Sequence, residues 1–316
     1  MAMLEQPKAT LDGEWWKAPD YSHGDLDLPG QSALAAGEKK TLEAIAAAAD
    51  GGKLDIQPMP KAALEAMKAL RAGDPDIDQV VGAIELDPAL SLLLIKHANS
   101  ALYAPRYPID SIRRAVVHVG MKQLKTIVQE VSLRAVTGNI KARHYAVMEW
   151  RQAIHCALIS KAMARRVGAD EEAAYLAGLL HDVGRLPVLN ALDKKLALPD
   201  VPARGGAPEI IMESLHRGVG AQVARLWELP PAVCDAIAHH LNGRREDEDP
   251  TSEFSTTKLA EAAGDLCHAL GLGRFRRPFH LLSSRSFRDA GFTPDALEDF
   301  LRTELPKAVE SAASIG

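Results

Sequence analysis

Apolar residues in this chain return every three or four positions over most of its length and hardly ever alternate, a pattern that builds helices and leaves no material for a sheet. Alanine and leucine carry the pattern, whereas aromatic residues are only 5% of the chain and β-branched ones are sparse. Alanine and unbranched side chains lose little rotamer freedom in a helix, so composition and periodicity point the same way. The sequence predicts an all-α fold.

Start and stop signals divide the pattern. Helices are predicted over Glu38–Ala49, Lys61–Arg71, Asp76–Leu86, Asp87–Ala98, Ser111–Val119 and Met121–Val136 in the first half. In the second half they are predicted over Tyr145–Val167, Asp170–Val183, Pro208–His216, Val219–Glu228, Pro231–Leu241, Glu253–Leu270 and Pro294–Leu301. Asp87 reads as an N-cap with Pro88 at the first helical position, and Gly168 as a C-terminal cap. Pro105 and Pro108 mark a loop, and the acidic RREDEDP run a solvated one. A composition change near Thr137–Arg143 separates a helical unit at 37–140 from a second at 141–275, with a C-terminal helical extension at 276–316. Residues 1–36, with Trp15 and Trp16 among prolines, glycines and acids, read as an irregular arm; docking of its tryptophans and a mobile tail are the competing expectations.

At 316 residues the chain is long enough for one large or two medium domains. Its opening MAMLEQPKAT lacks the layout of an export signal, and no apolar run approaches the roughly 20 residues that span a bilayer. A cytoplasmic protein without membrane contact is expected. Cys156, Cys234 and Cys267 lack CxxC spacing and read as core thiols of a reducing compartment. The net charge of −5 argues against nucleic-acid binding, and the stretch Arg274, Arg276, Arg277, Arg285 and Arg288 reads as a solvated face. No Walker loop, GxGxxG after a strand, or GxSxG elbow is present.

A divalent ion needs neutral imidazoles and carboxylates converging in a small volume. His181 and Asp182 are adjacent donors near the end of one predicted helix. Gly178, one turn earlier, is expected to leave that face without bulk to obstruct an ion. His155 shares a helix face with Leu158 and Ala162, so its ring is expected to be buried. A metal ligand and a core histidine bonded to a backbone carbonyl both fit it.

Several stretches carry a resemblance to a known family. IELDPALSLLLIKHANSALYAPRYPIDSIRRAVVHVGMKQLKTIV combines an acidic-Pro-Ala helix start, an Ala-Asn-Ser helix end, a proline loop and a helix ending in glycine before the next. WRQAIHCALISKAMA, AYLAGLLHDVGRL and ESLHRGVGAQVARLWELPPAVCDAIAHH follow in order. Over roughly residues 55 to 275 the chain resembles bacterial HDOD domains, the signalling relatives of metal-dependent HD phosphohydrolases. The resemblance implies a multi-helix fold in which an N-terminal helical bundle packs on an HD-like helical core.

It also implies a ligand set. The helix histidine, His-Asp pair and later aspartate of catalytic HD proteins correspond to His155, His181, Asp182 and Asp265. The additional histidines of dinuclear HD-GYP phosphodiesterases correspond to His216, His239 and His240. The implied cofactor is one or two divalent ions, iron, manganese or zinc. Two departures argue against cyclic-dinucleotide hydrolysis: Arg185 stands where the HD-GYP group has lysine, and LNGRRED follows His240 in place of that group's Gly-Tyr-Pro segment. Arg185 is either a fork for a substrate phosphate or a helix C-terminal cation answering the macrodipole.

The expected function is a regulatory or scaffolding output module in signal transduction, with a signalling protein as partner and no catalytic residues. The alternative is a metal-dependent phosphohydrolase acting on a nucleotide or other phosphoester, in which bridging water is activated between ions.

Overall fold

The computed structural model describes residues 30–71, 75–100, 103–138, 141–196, 198, 205–240, 256–273, 281–282 and 284–315. Among these residues there are fifteen α-helices and no strand. The arm with Trp15 and Trp16, the RREDEDP run and Arg274, Arg276 and Arg277 lie outside the described residues.

The first helices are α1 (Ala36–Asp50), α2 (Lys61–Arg71), α3 (Ile77–Glu85), α4 (Pro88–Ala98), α5 (Ile112–Val119) and α6 (Met121–Gly138). Three begin on a side chain that satisfies an otherwise unpaired backbone N–H. Asp76 accepts from Asp78, Asp87 from Leu90 at 3.1 Å, and Ser111 from Arg114 at 3.3 Å. Helices α2 to α6 pack on one another, whereas α1 lies against α9 (Arg185–Asp193) and α10 (Ala207–Leu226).

The second half is built around α7 (Arg143–Val167) and α8 (Glu171–Leu180), with α12 (Thr256–Leu270) packed on both. Gly168 ends α7 in the left-handed region, φ 77°, as its capping role requires. Helix α11 (Pro231–His239) fits between α8, α10 and α12. The chain then forms α13 (Arg285–Asp289), α14 (Pro294–Thr303) and α15 (Leu305–Ile315), the last returning to α7.

The structure revises several predicted boundaries. Pro208–His216 and Val219–Glu228 are one continuous helix, α10, because Gly218 and Gly220 do not interrupt it. Helix α8 stops at Leu180, so His181 and Asp182 occupy the turn that follows. Helix α9 was not among those predicted, and α13 and α15 fall within the helical extension expected at 276–316.

Helix α6 joins the halves. Thr126, Gln129, Glu130 and Ser132 are buried along it together with Leu124, Ile127, Val128 and Val131. Tyr175 of α8 donates to Glu130 at 2.5 Å, and His97 Nδ1 of α4 lies 3.2 Å from the other oxygen of that carboxylate. Thr126 and Lys161 both donate to Glu172, at 2.8 and 2.7 Å. Burial together with the Glu130 carboxylate raises the Tyr175 hydroxyl well above its ordinary range, so it remains a donor.

Candidate metal centre

Helix α8 delivers the His-Asp pair. Asp170 caps it by accepting from the N–H groups of Ala173 and Glu172, at 3.1 and 2.9 Å, and these bonds hold its carboxyl below the usual range. The turn His181–Gly184 then lies directly on the backbone of α10. A Cβ on Gly184 would stand 1.9 Å from the His216 carbonyl oxygen and 2.4 Å from Gly220 N. Only glycine permits that approach, which brings Asp182 beside His216.

Gly178 has a different role from the one expected. A Cβ there would stand 2.6 Å from both the Cys156 carbonyl oxygen and Ser160 Oγ. Its bareness serves the close packing of α8 on α7.

Three imidazoles face the Asp182 carboxylate. His181 Nε2 is 3.4 Å from Oδ2, while His216 Nε2 and His240 Nε2 are 3.5 and 3.3 Å from Oδ1. The Nε2 atoms of His216 and His240 are 3.4 Å apart. Ligand atoms of His181, Asp182 and His240 all lie within 4.8 Å of one another. The Asp182 side chain is 14% exposed, so solvent reaches one edge of an otherwise buried group.

Backbone carbonyls fix the tautomers. Nδ1 of His181 donates to Gly178 O at 2.9 Å, Nδ1 of His216 to Glu213 O at 2.9 Å, and Nδ1 of His240 to Ala236 O at 2.9 Å. A carbonyl only accepts, so each Nδ1 carries the hydrogen and a neutral ring presents a bare lone pair at Nε2. Burial lowers His240 and takes His216 down to about 4, against the pull of nearby Glu213. Neutral His216 and His240 therefore turn lone pairs toward each other and toward a carboxylate, which is unfavourable unless a cation or a proton lies among them.

The donor set fits such a cation. Nitrogen and oxygen ligands of a divalent ion stand about 3–4 Å apart; the spacings of 3.3 to 3.5 Å to Asp182 fall in that range, and the set His181, Asp182 and His240 spreads to 4.8 Å. Neutral imidazole with carboxylate suits zinc, iron or manganese. Donation of each Nδ1–H to a carbonyl is the support that metal-binding histidines ordinarily have.

The other predicted residues are placed differently. His155 is buried, with Nδ1 donating to Arg151 O at 2.6 Å and burial lowering its basicity, but it is not among the rings that meet Asp182. Consecutive helical residues point about 100° apart, so His239 does not follow His240 inward. Its ring is 35% exposed, with Nε2 3.8 Å from Asp235. Asp265 accepts a hydrogen bond from Ser286 of α13. The preceding Gly264 faces the site: a Cβ there would stand 4.0 Å from His181 Nε2.

Arg185 begins α9 and does not end a helix, so the macrodipole explanation does not hold for it. Its guanidinium is 1% exposed, with Nε 3.1 Å from both oxygens of Glu149 and Nη1 2.8 Å from Glu213. Burial alone would raise Glu213, but Arg185 and the neighbouring histidines hold it below the usual range. Sequence reasoning missed Glu149 and Glu213, although the Glu213–His216 spacing of one helical turn was visible. It also missed Glu261 on α12. Burial, with Asp265 and Asp289, pushes the Glu261 carboxyl up to about 7, and among the described residues its Oε2 accepts no hydrogen bond, with Lys258 Nζ 3.7 Å away.

Comparison with known proteins assigns the fold to a family. The HDOD domain profile matches residues 56–242, more than half the chain, and the protein belongs to the HDOD family. A protein of Treponema pallidum (strain Nichols), described as uncharacterized, is 27% identical over 214 residues, 65% of this chain and 41% of its own. Ribonuclease Y of Deinococcus radiodurans is 25% identical over 231 residues, 67% of this chain and 36% of its own. The chain thus spans about two fifths of the length of these relatives. Among solved structures, a candidate metal-dependent phosphohydrolase from Shewanella amazonensis superposes with TM-score 0.69 at 21% identity, over 89% of this chain and all of that one. An HDOD domain protein of unknown function from Geobacter sulfurreducens superposes with TM-score 0.64 at 24% identity, over 88% and 97%.

Proposed function

We propose that the protein is a regulatory or scaffolding HDOD module of signal transduction in which His181, Asp182, His216 and His240 hold a divalent ion. The observation that carries the metal reading is the convergence of three Nε2 lone pairs on one carboxylate, with every Nδ1 already committed to a carbonyl. Likeness to a Marinobacter aquaeolei protein described as a candidate signal transduction protein, TM-score 0.55, supports the signalling role. The commitment of Arg185 to Glu149 and Glu213 favours a non-catalytic module, because the one cation proposed for a substrate phosphate is already neutralised.

The second reading, a metal-dependent phosphohydrolase, is favoured by the partly exposed edge of Asp182 and by the name of the Shewanella relative. The ion would supply Lewis acidity and lower the pKa of water. His181, Asp182, His216 and His240 would hold it, and burial keeps His216 and His240 neutral.

Plasma mass spectrometry on purified protein tests the first reading, with His181→Ala as control. One or two equivalents of iron, manganese or zinc, lost in the variant, are expected; no metal above the control refutes a metal centre. Turnover of simple phosphoesters by the loaded protein, abolished in Asp182→Ala, would favour the second reading.

A further inference from the structure

Two of the three cysteines meet in the fold. Cys156 Sγ of α7 and Cys267 Sγ of α12 are 3.4 Å apart although 111 residues separate them in sequence. Both are buried, at 0% and 1% exposure. Cys234 is the more accessible thiol, its Sγ turned to the Leu229 carbonyl at 3.5 Å.

The pair lies where α7, α8 and α12 converge. Cys156 directly follows His155, and its carbonyl is the atom that Gly178 of α8 must leave room for. Cys267 comes two residues after Asp265 and three after Gly264, the point of α12 that faces His181 Nε2. Small buried residues, Ala260, Ala262 and Ala263, let α12 pack closely. Sulfurs in contact need to approach by only about 1.4 Å more to reach bonding distance.

We propose that Cys156 and Cys267 form a modification site, an oxidisable thiol pair that closes to a disulfide between α7 and α12 when a hydroperoxide enters. One sulfur attacks the peroxide, the O–O bond breaks, and a sulfenic acid and one water form. The second sulfur then attacks the sulfenic sulfur, the S–O bond breaks, and a second water leaves. With hydrogen peroxide, two thiols become one disulfide and the peroxide becomes two waters. Both sulfurs are buried, so the pair reacts when α12 loosens enough to admit a small oxidant. Closure pins α12, and Gly264 with it, against the helix of His155; this consequence rests on the metal reading, whereas the bond itself does not.

The test uses the full chain exposed to hydrogen peroxide under native conditions, then alkylated after denaturation and mapped as peptides without reduction. The expected product is a Cys156–Cys267 cross-link that survives Cys234→Ser and is absent from Cys156→Ala and from Cys267→Ala. Because the link closes a loop of more than 100 residues, it should also raise Tm by on the order of 5–10 °C, reversed by reductant. Full alkylation of Cys156 and Cys267 at a peroxide dose that oxidises Cys234 would overturn the proposal in the wild-type chain, with no variant needed. Metal content measured on the same samples separates the readings. A cross-link in protein that never holds metal leaves the thiol pair standing and removes the metal centre; metal without a cross-link does the reverse.

Discussion

Two polar clusters grow from the same short stretch, His181 to Arg185, and they are satisfied in different ways. Around Arg185 the cation is answered within the protein: a buried guanidinium meets Glu149 and Glu213. Around Asp182 one carboxylate meets three rings whose neutral forms turn lone pairs inward. The first cluster is complete as folded and acts as a fastener between α7, α9 and α10. In the second the proposed ion would supply the positive charge, and that difference would separate a structural group from a ligand site although both are buried.

The sharpest way to break this contrast is to remove the fastener. Arg185→Ala leaves Glu149 without its buried counter-charge and is expected to cost about 3–5 kcal/mol in urea unfolding. A loss below about 1 kcal/mol would place Arg185 with exposed ion pairs instead. Next comes pH in metal-free protein. His216 has a folded value of about 4 against an ordinary 6.5, so the unfolded chain takes up the proton first. Stability is therefore highest above pH 6.5 and falls as pH drops toward 4, by up to about 3 kcal/mol from this group. His216→Gln should flatten that part of the profile.

Metal itself should stabilise the second cluster. An ion present at 100 times its Kd adds about 2.7 kcal/mol, seen as a rise in Tm of several degrees that a chelator reverses. Asp182→Asn should erase the rise and Arg185→Lys should keep it. The smallest effect is expected at His239, which lies outside both clusters. His239→Ala should change stability by less than about 0.5 kcal/mol and leave metal content unaltered.

The helix starts at Asp76, Asp87 and Ser111 were legible because a capping side chain acts on its own backbone within three residues. The continuity of α10 was not, since Gly218 falls in the break between two predicted helices, while Gly220 answers to Gly184 across the fold. Pro187 concealed α9 by the same local logic. It occupies the third helical position, where its missing N–H is one the helix would have left unpaired. At the site, His181 and Asp182 showed as neighbours in sequence, and His216 and His240 through family resemblance. Glu149 and Glu213 did not, because they meet Arg185 across 36 and 28 residues, distances no local pattern spans.

The contact of Gly184 with the α10 backbone sets a manufacturing tolerance for the centre. The spacing between Asp182 and His216 is gauged by main chain against main chain, with no long side chain to flex and absorb an error. The seat proposed for the ion would keep its dimensions through this contact, and a single methyl group at position 184 would spread it.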